Sequence, residues 1–228
     1  MLSFVTRTVI KGPPDVTSGH ERVSRRSDPC TPVTRRIHFM ADELKGFKVA
    51  VLATDGVEES ELKEPVKALK EAGADVRIVA PQTGPIRAFR HHDPVSKIEV
   101  DQELEMAGPD EFDALLLPGG ALNADALRVN EKAKELVSNM ELSGKPIAFI
   151  CYAAWLLVSA GLVRGRSLTS YYTIQDDIRN AGGTWRDEQV VRDGNWISSR
   201  QPSDIPAFNR AVLELFSRAL LQKAAPAA

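Results

Sequence analysis

Cysteine is scarce. Cys30 and Cys151 are the only two in 228 residues, so the chain cannot be a small scaffold stapled by several disulfides. A reducing cytosol is the expected compartment, and a cysteine with a special role there is more naturally chemical than structural. No apolar run approaches the ~18 to 20 residues that cross a bilayer as a helix, which excludes a membrane span of that kind. Excess charge is missing as well: 29 basic against 31 acidic residues leave −2, which excludes a nucleic-acid binder acting through bulk positive charge. No phosphate loop or metal-ligand cluster is visible, so neither a cofactor nor a metal is expected. What is present, 43% apolar and 26% charged residues, suits an ordinary globular chain with room for one large domain.

The charge is unevenly distributed. Residues 1–39 carry seven basic and three acidic residues, and the remainder carries 22 and 28. This first segment is rich in Ser, Thr, Pro and Arg and has no sustained apolar period, so it buries too little to offset its ordering entropy. It reads as a disordered extension over residues 1–45. Its Arg and Ser content also fits an organelle transit peptide, but Asp15, Glu21, Asp28 and Gly12-Pro13-Pro14 oppose an amphipathic targeting helix. Met40, just before the ordered pattern, is an alternative start, and Cys30 reads as an incidental thiol. A single domain is expected over 46–222, followed by a short tail over 223–228.

From residue 46 onward strand and helix patterns alternate. Lys48 to Ala53 is a short apolar run ending at Asp55-Gly56, as a strand buried on both faces requires. Leu62, Val66, Leu69 and Ala72 share one helical face, with Pro65 tolerable in an early turn and Gly73 as the stop. Val76–Ala80, Asp113–Leu117 and Pro146–Ile150 read as further strands. Helices are expected over Glu131–Leu142, Ala153–Ala160, about Ile174–Ala181 and Ile205–Leu221, and a hairpin turns at Asp193-Gly194. Repeated βα units predict an open α/β fold with three layers and a mostly parallel sheet.

Reactive groups in such sheets gather at the carboxyl ends of the strands, and Cys151 stands between a strand end and a helix start. Partial positive charge and free N–H groups there lower a thiol pKa, which makes Cys151 a candidate nucleophile. Placement alone leaves open the alternative of a small buried hydrophobe. Glu58, Glu59 and Glu61 follow another strand end. Glu58 and Glu59 fit a solvated helix start, whereas Glu61, if the first and the Cys151-bearing strands are neighbours, can turn inward, where burial and a nearby thiolate raise its pKa and let a protonated carboxyl donate to sulfur. Pro118-Gly119-Gly120 offers a backbone turn able to aim N–H groups at an oxyanion.

Together these segments resemble the PfpI branch of the ThiJ/PfpI superfamily. The resemblance runs in order over about residues 46 to 220. It rests on Glu58-Glu59-Ser60-Glu61-Leu62, Leu117-Pro118-Gly119-Gly120, Gly144-Lys145-Pro146-Ile147-Ala148, Cys151, Ser159-Ala160-Gly161-Leu162, Thr169-Ser170-Tyr171 and Asp193-Gly194-Asn195-Trp196. It implies a flavodoxin-like α/β/α sandwich with the cysteine on a nucleophile elbow, and assembly as a homodimer or hexamer. Members are described as intracellular cysteine proteases, general stress proteins, glutathione-independent glyoxalases and deglycases. Carried over by position, the resemblance makes Cys151 the nucleophile and Glu61 its carboxyl partner, with backbone donors at Gly120 and Tyr152. The family's histidine after the cysteine is Tyr152 here, the following Gly-Pro-Gln is Ala153-Ala154-Trp155, and the glutamate beyond the glycine pair falls at Ala124, with Asp125 one step away as an auxiliary candidate.

The loss of that histidine bears on the chemistry. A tyrosine ionising near pH 10 is a poor general base, although it can orient or donate a proton, and peptide cleavage requires protonating an amine. Addition of a thiol to an aldehyde has no such requirement. Action on small dicarbonyl or glycated substrates through Cys151, Glu61 and Tyr152 is therefore the leading expectation. A peptidase with an altered triad and a non-enzymatic oxidation sensor acting through Cys151 are the alternatives. His91 and His92, read as neighbours on an extended strand, would point to opposite faces and share no metal. His92 is a candidate replacement for the missing histidine, against a default reading as a solvated loop residue. Asp176 and Asp177 read as an exposed helix face and Trp155 as core or pocket wall.

Overall fold

Alternate residues of the first strand serve two different cores. β1 (Lys48–Leu52) sends Val49 and Val51 to one and Ala50 and Leu52 to the other, as a strand covered on both faces by helices must. In the computed structural model, which describes residues 42–224, the chain continues through β2 (Val57–Glu58), α1 (Glu59–Glu71), β3 (Asp75–Ala80), β4 (Ile86–Arg90), β5 (Asp93–Ile98), β6 (Gln102–Glu103) and β7 (Ala114–Leu117). Next come α2 (Ala121–Arg128), α3 (Glu131–Leu142), β8 (Ile147–Ile150), α4 (Ala154–Ser159), β9 (Ser167–Leu168), α5 (Gln175–Asn180), β10 (Thr184–Trp185), β11 (Val190–Asp193), β12 (Trp196–Ser199) and α6 (Ile205–Ala224). The readings made on residues 1–41 and 225–228, including the disordered extension, the Met40 start and Cys30, lie outside the described residues.

Seven strands form one sheet in the order β11-β12-β8-β7-β1-β3-β6, parallel except for the β11 edge. Leu62 and Leu69 of α1 and Phe208, Val212 and Phe216 of α6 pack against Val49, Val51, Leu116 and Ala148 on one face. Leu136, Val137 and Met140 of α3, Leu156 and Leu157 of α4 and Ile178 of α5 cover Leu52, Leu115, Leu117, Ile147 and Phe149 on the other. This is the expected flavodoxin-like sandwich. β7 and β8 are buried throughout, so their side chains carry the core and their carboxyl ends carry the chemistry. From β1 the chain first builds outward to β3 and β6, then returns to add β7, β8 and β12 on the other side. That reversal opens a crevice at the strand ends.

Two local expectations are corrected. The packed chain begins before residue 46, because Leu44 is fully buried and its N–H bonds to Ala72 O at 2.7 Å. Helix α1 starts at Glu59, which puts Pro65 in its second turn, an early one as expected. The helix start is fastened both from within, where Glu59 accepts from Lys63 Nζ one turn on at 2.6 Å, and from the neighbouring strands, where it accepts from Ser96 Oγ at 2.6 Å and Arg90 Nη2 at 3.3 Å. These contacts hold its carboxyl at about 2, below its ordinary 4.5. Finally, α6 runs to Ala224, so residues 223 and 224 belong to the helix and not to a tail.

Candidate active site

Cys151 follows β8 at a sharp strand-to-helix elbow. Ile150 is extended (φ −135°, ψ 149°), and Cys151 itself has φ 62°, a left-handed conformation that a side-chain-bearing residue seldom adopts. Such strain persists only where the surroundings over-determine it. Here β8 is fully buried, a helical turn over Cys151–Ala153 leads into α4, and Tyr171 N–H bonds to Cys151 O at 3.2 Å. The elbow leaves Cys151 only 6% exposed, at the wall of a cavity of about 390 Å3.

Glu61, in the first turn of α1, has no solvent exposure. Its carboxyl meets the Cys151 thiol, and Oε2 accepts the Gly119 N–H at 3.0 Å, while Oε1 is buried without a partner. Gly119 lies between the two side chains. A Cβ there would come within 2.7 Å of Cys151 Cβ and 2.9 Å of Ile150 O, and closer still to Glu61 Oε2. Gly120 (φ 94°) has as little room, because a Cβ would lie 2.7 Å from Glu58 N. The backbone N–H groups of Gly120 and Tyr152 converge on the Cys151 sulfur. Asn123 holds this loop: its Nδ2 donates to Pro118 O and Gly119 O at 3.0 Å each, and its Oδ1 accepts from Thr54 N at 2.8 Å.

Burial pushes Glu61 from its ordinary 4.5 up to about 8, and the charge of Glu58 adds to the rise against the pull of the Cys151 thiol and the Gly119 amide. Glu61 therefore keeps its proton near neutrality. Burial also raises the Cys151 thiol well above its usual range, an ionised Glu61 adds to the rise, and the amides of Tyr152 and Gly120 oppose it. This corrects the expectation of a thiolate stabilised by a helix end. α4 has six residues and begins only at Ala154, so desolvation outweighs the dipole. The two acids form one coupled system in which ionising either raises the other.

The structure places the remaining sequence candidates unequally. Tyr152 lines the cavity, its ring centroid 5.0 Å from that of Tyr171 and 5.2 Å from that of Trp155, and its hydroxyl accepts from Thr173 Oγ1 at 3.1 Å. His91 and His92 both line it too, but not from a strand. They form the two-residue turn between β4 and β5, with His91 at φ 58°. Asp125 is exposed on α2 and is not part of the lining. Trp155 backs Tyr152 and donates to Asp177 Oδ2 at 2.8 Å, so Asp177 is more than a solvated helix face. Among the described residues no group of three or more His, Cys, Asp or Glu is arranged to hold a metal. A wider groove of about 620 Å3 beside α1 and β5 contains neither cysteine nor histidine.

Sequence reasoning missed Glu58, Tyr171 and Gln201-Pro202-Ser203, all of which line the cavity. Glu58 is only 8% exposed and accepts the His91 N–H at 2.9 Å, which ties the β4–β5 turn over the site. Its separation of three residues from Glu61 was the available signal. Gln201 to Ser203 follow the end of β12, so the rule that directs attention to strand ends applied to them equally.

The sequence and the fold find matches among known proteins. The DJ-1/PfpI family pattern covers residues 47–215. A protein of Thermococcus kodakarensis named a deglycase is 43% identical over 169 residues, spanning 74% of this chain and 99% of the relative. The Escherichia coli protein named protein/nucleic acid deglycase 2 is 38% identical, over 74% of this chain and 96% of its own. Among solved structures, Drosophila melanogaster DJ-1beta is 27% identical with a TM-score of 0.68, covering 79% of this chain and 99% of that one. Within the described residues no helix is long and apolar enough to cross a membrane. With the family pattern spanning most of its length and relatives above 30% identity covered almost end to end, the chain belongs to the DJ-1/PfpI family.

Proposed function

We propose that the protein is a cysteine-dependent enzyme that acts on reactive dicarbonyls or on the adducts they form with amines. The observation that carries this reading is the buried pairing of Cys151 with Glu61 beneath two converging amides, in a chain whose relatives are named deglycases.

The chemistry follows from the protons. With thiol and carboxyl both protonated at rest, Glu61 gives its proton to the substrate carbonyl oxygen and takes the thiol proton on its other oxygen as the sulfur–carbon bond forms. The product is a hemithioacetal, and no net charge has been buried. The unpartnered Oε1 is the oxygen free for this exchange, while the Gly120 and Tyr152 N–H groups lie close enough to steady charge that develops on oxygen. From methylglyoxal, moving the C1 proton to C2 and the hydroxyl proton from the C1 oxygen to the C2 oxygen gives a thioester, which water cleaves to lactate and thiol. From a glycated amine the sulfur displaces nitrogen, the amine departs with the thiol proton, and the same hemithioacetal results.

A peptidase has less support, because a peptide nitrogen is too weakly basic to leave without a strong acid and Tyr152 occupies the position of the histidine that would supply one, whereas the basic amine of a glycated adduct takes up the thiol proton readily. The oxidation sensor has less support because Cys151 is nearly closed to solvent and its thiol is raised. The test is release of free amine from a methylglyoxal-glycated capped lysine. Repeated release by the wild type and none by Cys151→Ser is expected, and equal release by both contradicts the reading.

A further inference from the structure

The strand next to the one that ends at Cys151 supplies an uncharged wall of the cavity. β12 pairs with β8 in parallel register, Ser199 beside Ile150, so the chain leaving β12 passes the cavity at the level of Cys151. Gln201, Pro202 and Ser203 line it there. The residues on either side of them hold each other. Arg200 Nε donates to Asp204 Oδ2 at 2.8 Å and Nη2 donates to Oδ1 at 3.1 Å, the fork geometry of guanidinium on carboxylate. Arg200 Nη1 donates to Asp187 Oδ1 at 2.7 Å, in the loop between β10 and β11. The Asp204 side chain is 2% exposed, and releasing the fork would leave its charge buried and uncompensated, so the turn is held closed. Gln201 is extended before the proline (φ −165°, ψ 170°), and Asp204 N–H returns to Gln201 O at 2.9 Å. Gln201 Nε2 donates to Ser203 Oγ at 2.9 Å. A serine that accepts keeps its own O–H to donate, and the amide keeps a second N–H. In the chemistry proposed above, Glu61 and the amides of Gly120 and Tyr152 serve the carbonyl that the thiol attacks, which leaves the second oxygen of a dicarbonyl to another part of the wall.

We propose that Gln201 and Ser203 are specificity residues that bind the substrate's second oxygen, on the carbon next to the one Cys151 attacks, and that Arg200 and Asp204 are the positioning residues that hold them there. The inference rests on the function proposed above and adds how the cavity tells a dicarbonyl from a simple aldehyde. The Ser203 O–H and the second Gln201 N–H are neutral donors suited to a carbonyl oxygen, and an aldehyde without that oxygen leaves them unmatched. Arg200 touches no substrate and acts through the shape of the turn. Neither Gln201 nor Ser203 exchanges a proton with the substrate. They fix the far oxygen so that the attacked carbon faces the thiol.

The test is protection of the thiol. An aldehyde that adds to Cys151 forms a sulfur–carbon bond while the thiol proton moves to the aldehyde oxygen, and the hemithioacetal shields the sulfur from iodoacetamide. Methylglyoxal and propanal share a carbon skeleton and differ in the oxygen on C2. Initial rates of alkylation at Cys151 in the full chain, read by peptide mass spectrometry, give a half-protecting concentration for each aldehyde. Methylglyoxal is the stronger electrophile, so the comparison is made between variants, where that difference cancels. Gln201→Ala/Ser203→Ala is expected to raise the methylglyoxal value about tenfold and to leave the propanal value within about twofold. Arg200→Lys, which keeps a charge beside Asp204 and loses the fork, is expected to reproduce that selective loss. Combining all three substitutions is expected to cost no more than the larger of the two effects. An unchanged methylglyoxal value in either variant, an equal loss for both aldehydes, or losses that add overturns the proposal, while protection of the wild type by methylglyoxal leaves the reading of the site standing. No protection of the wild type by methylglyoxal overturns both.

Discussion

Gly119 donates its backbone N–H to Glu61 Oε2 at 3.0 Å across 58 residues of sequence. It also leaves no space for a side chain between Glu61 and Cys151. The carboxyl–thiol pair therefore depends on a residue with no side chain. Gly119→Ala is expected to force the pair apart and to lower turnover by about a hundredfold or more, the scale on which a misplaced catalytic group acts. The measurement is kcat on methylglyoxal beside a thermal melt showing that the variant still folds. Full activity in folded Gly119→Ala protein contradicts the geometry.

Glu61→Gln removes the proton exchange and keeps the shape. A loss of about 10² to 10⁴ in turnover is expected, the usual range for general acid–base catalysis, while iodoacetamide still alkylates Cys151. Unchanged turnover would show that Glu61 moves no proton.

Stability should report the same carboxyl. Glu61 rises from 4.5 to about 8 in the folded chain, so between these values the folded state holds a proton that the unfolded chain has released. Its contribution is complete below about pH 4.5 and is lost as pH rises through 8. Urea unfolding of the wild type and of Glu61→Gln from pH 5 to 9 is expected to show the wild type losing ground by on the order of a few kcal/mol. Parallel pH profiles contradict a raised Glu61.

Asn123 is fully buried and uses both ends of its amide to pin the loop after β7 to the end of β1. Asn123→Ala leaves Thr54 N, Pro118 O and Gly119 O without those partners and is expected to cost on the order of 3 kcal/mol. Denaturant unfolding at neutral pH measures it, and a change within experimental error contradicts the assignment.

Much of this fold was legible because β1, β7 and β8 are short apolar runs that end abruptly at Asp55-Gly56, Pro118-Gly119 and Cys151. Buried parallel strands require such runs, and their ends require such turns. Cys151 could be placed at a strand end for the same reason. Its raised thiol could not, because desolvation depends on what packs around it, and Glu61 lies 90 residues away in the chain. Glu58 looked like an ordinary acid at a helix start, and only its contact with His91, on a different element, sets it apart. The His91-His92 turn lacks the Gly or Asn that announces a two-residue hairpin, which typically needs positive φ. Pairing of Arg90 with Asp93 imposes the turn instead.

The most direct measurement is methylglyoxal consumption with chiral lactate detection in amine-free buffer, comparing residues 40–228 of the wild type with the same span carrying Cys151→Ser. Many turnovers per chain, yielding predominantly one lactate enantiomer and lost in the variant, are expected. Uptake of one equivalent per thiol, or none, contradicts the account.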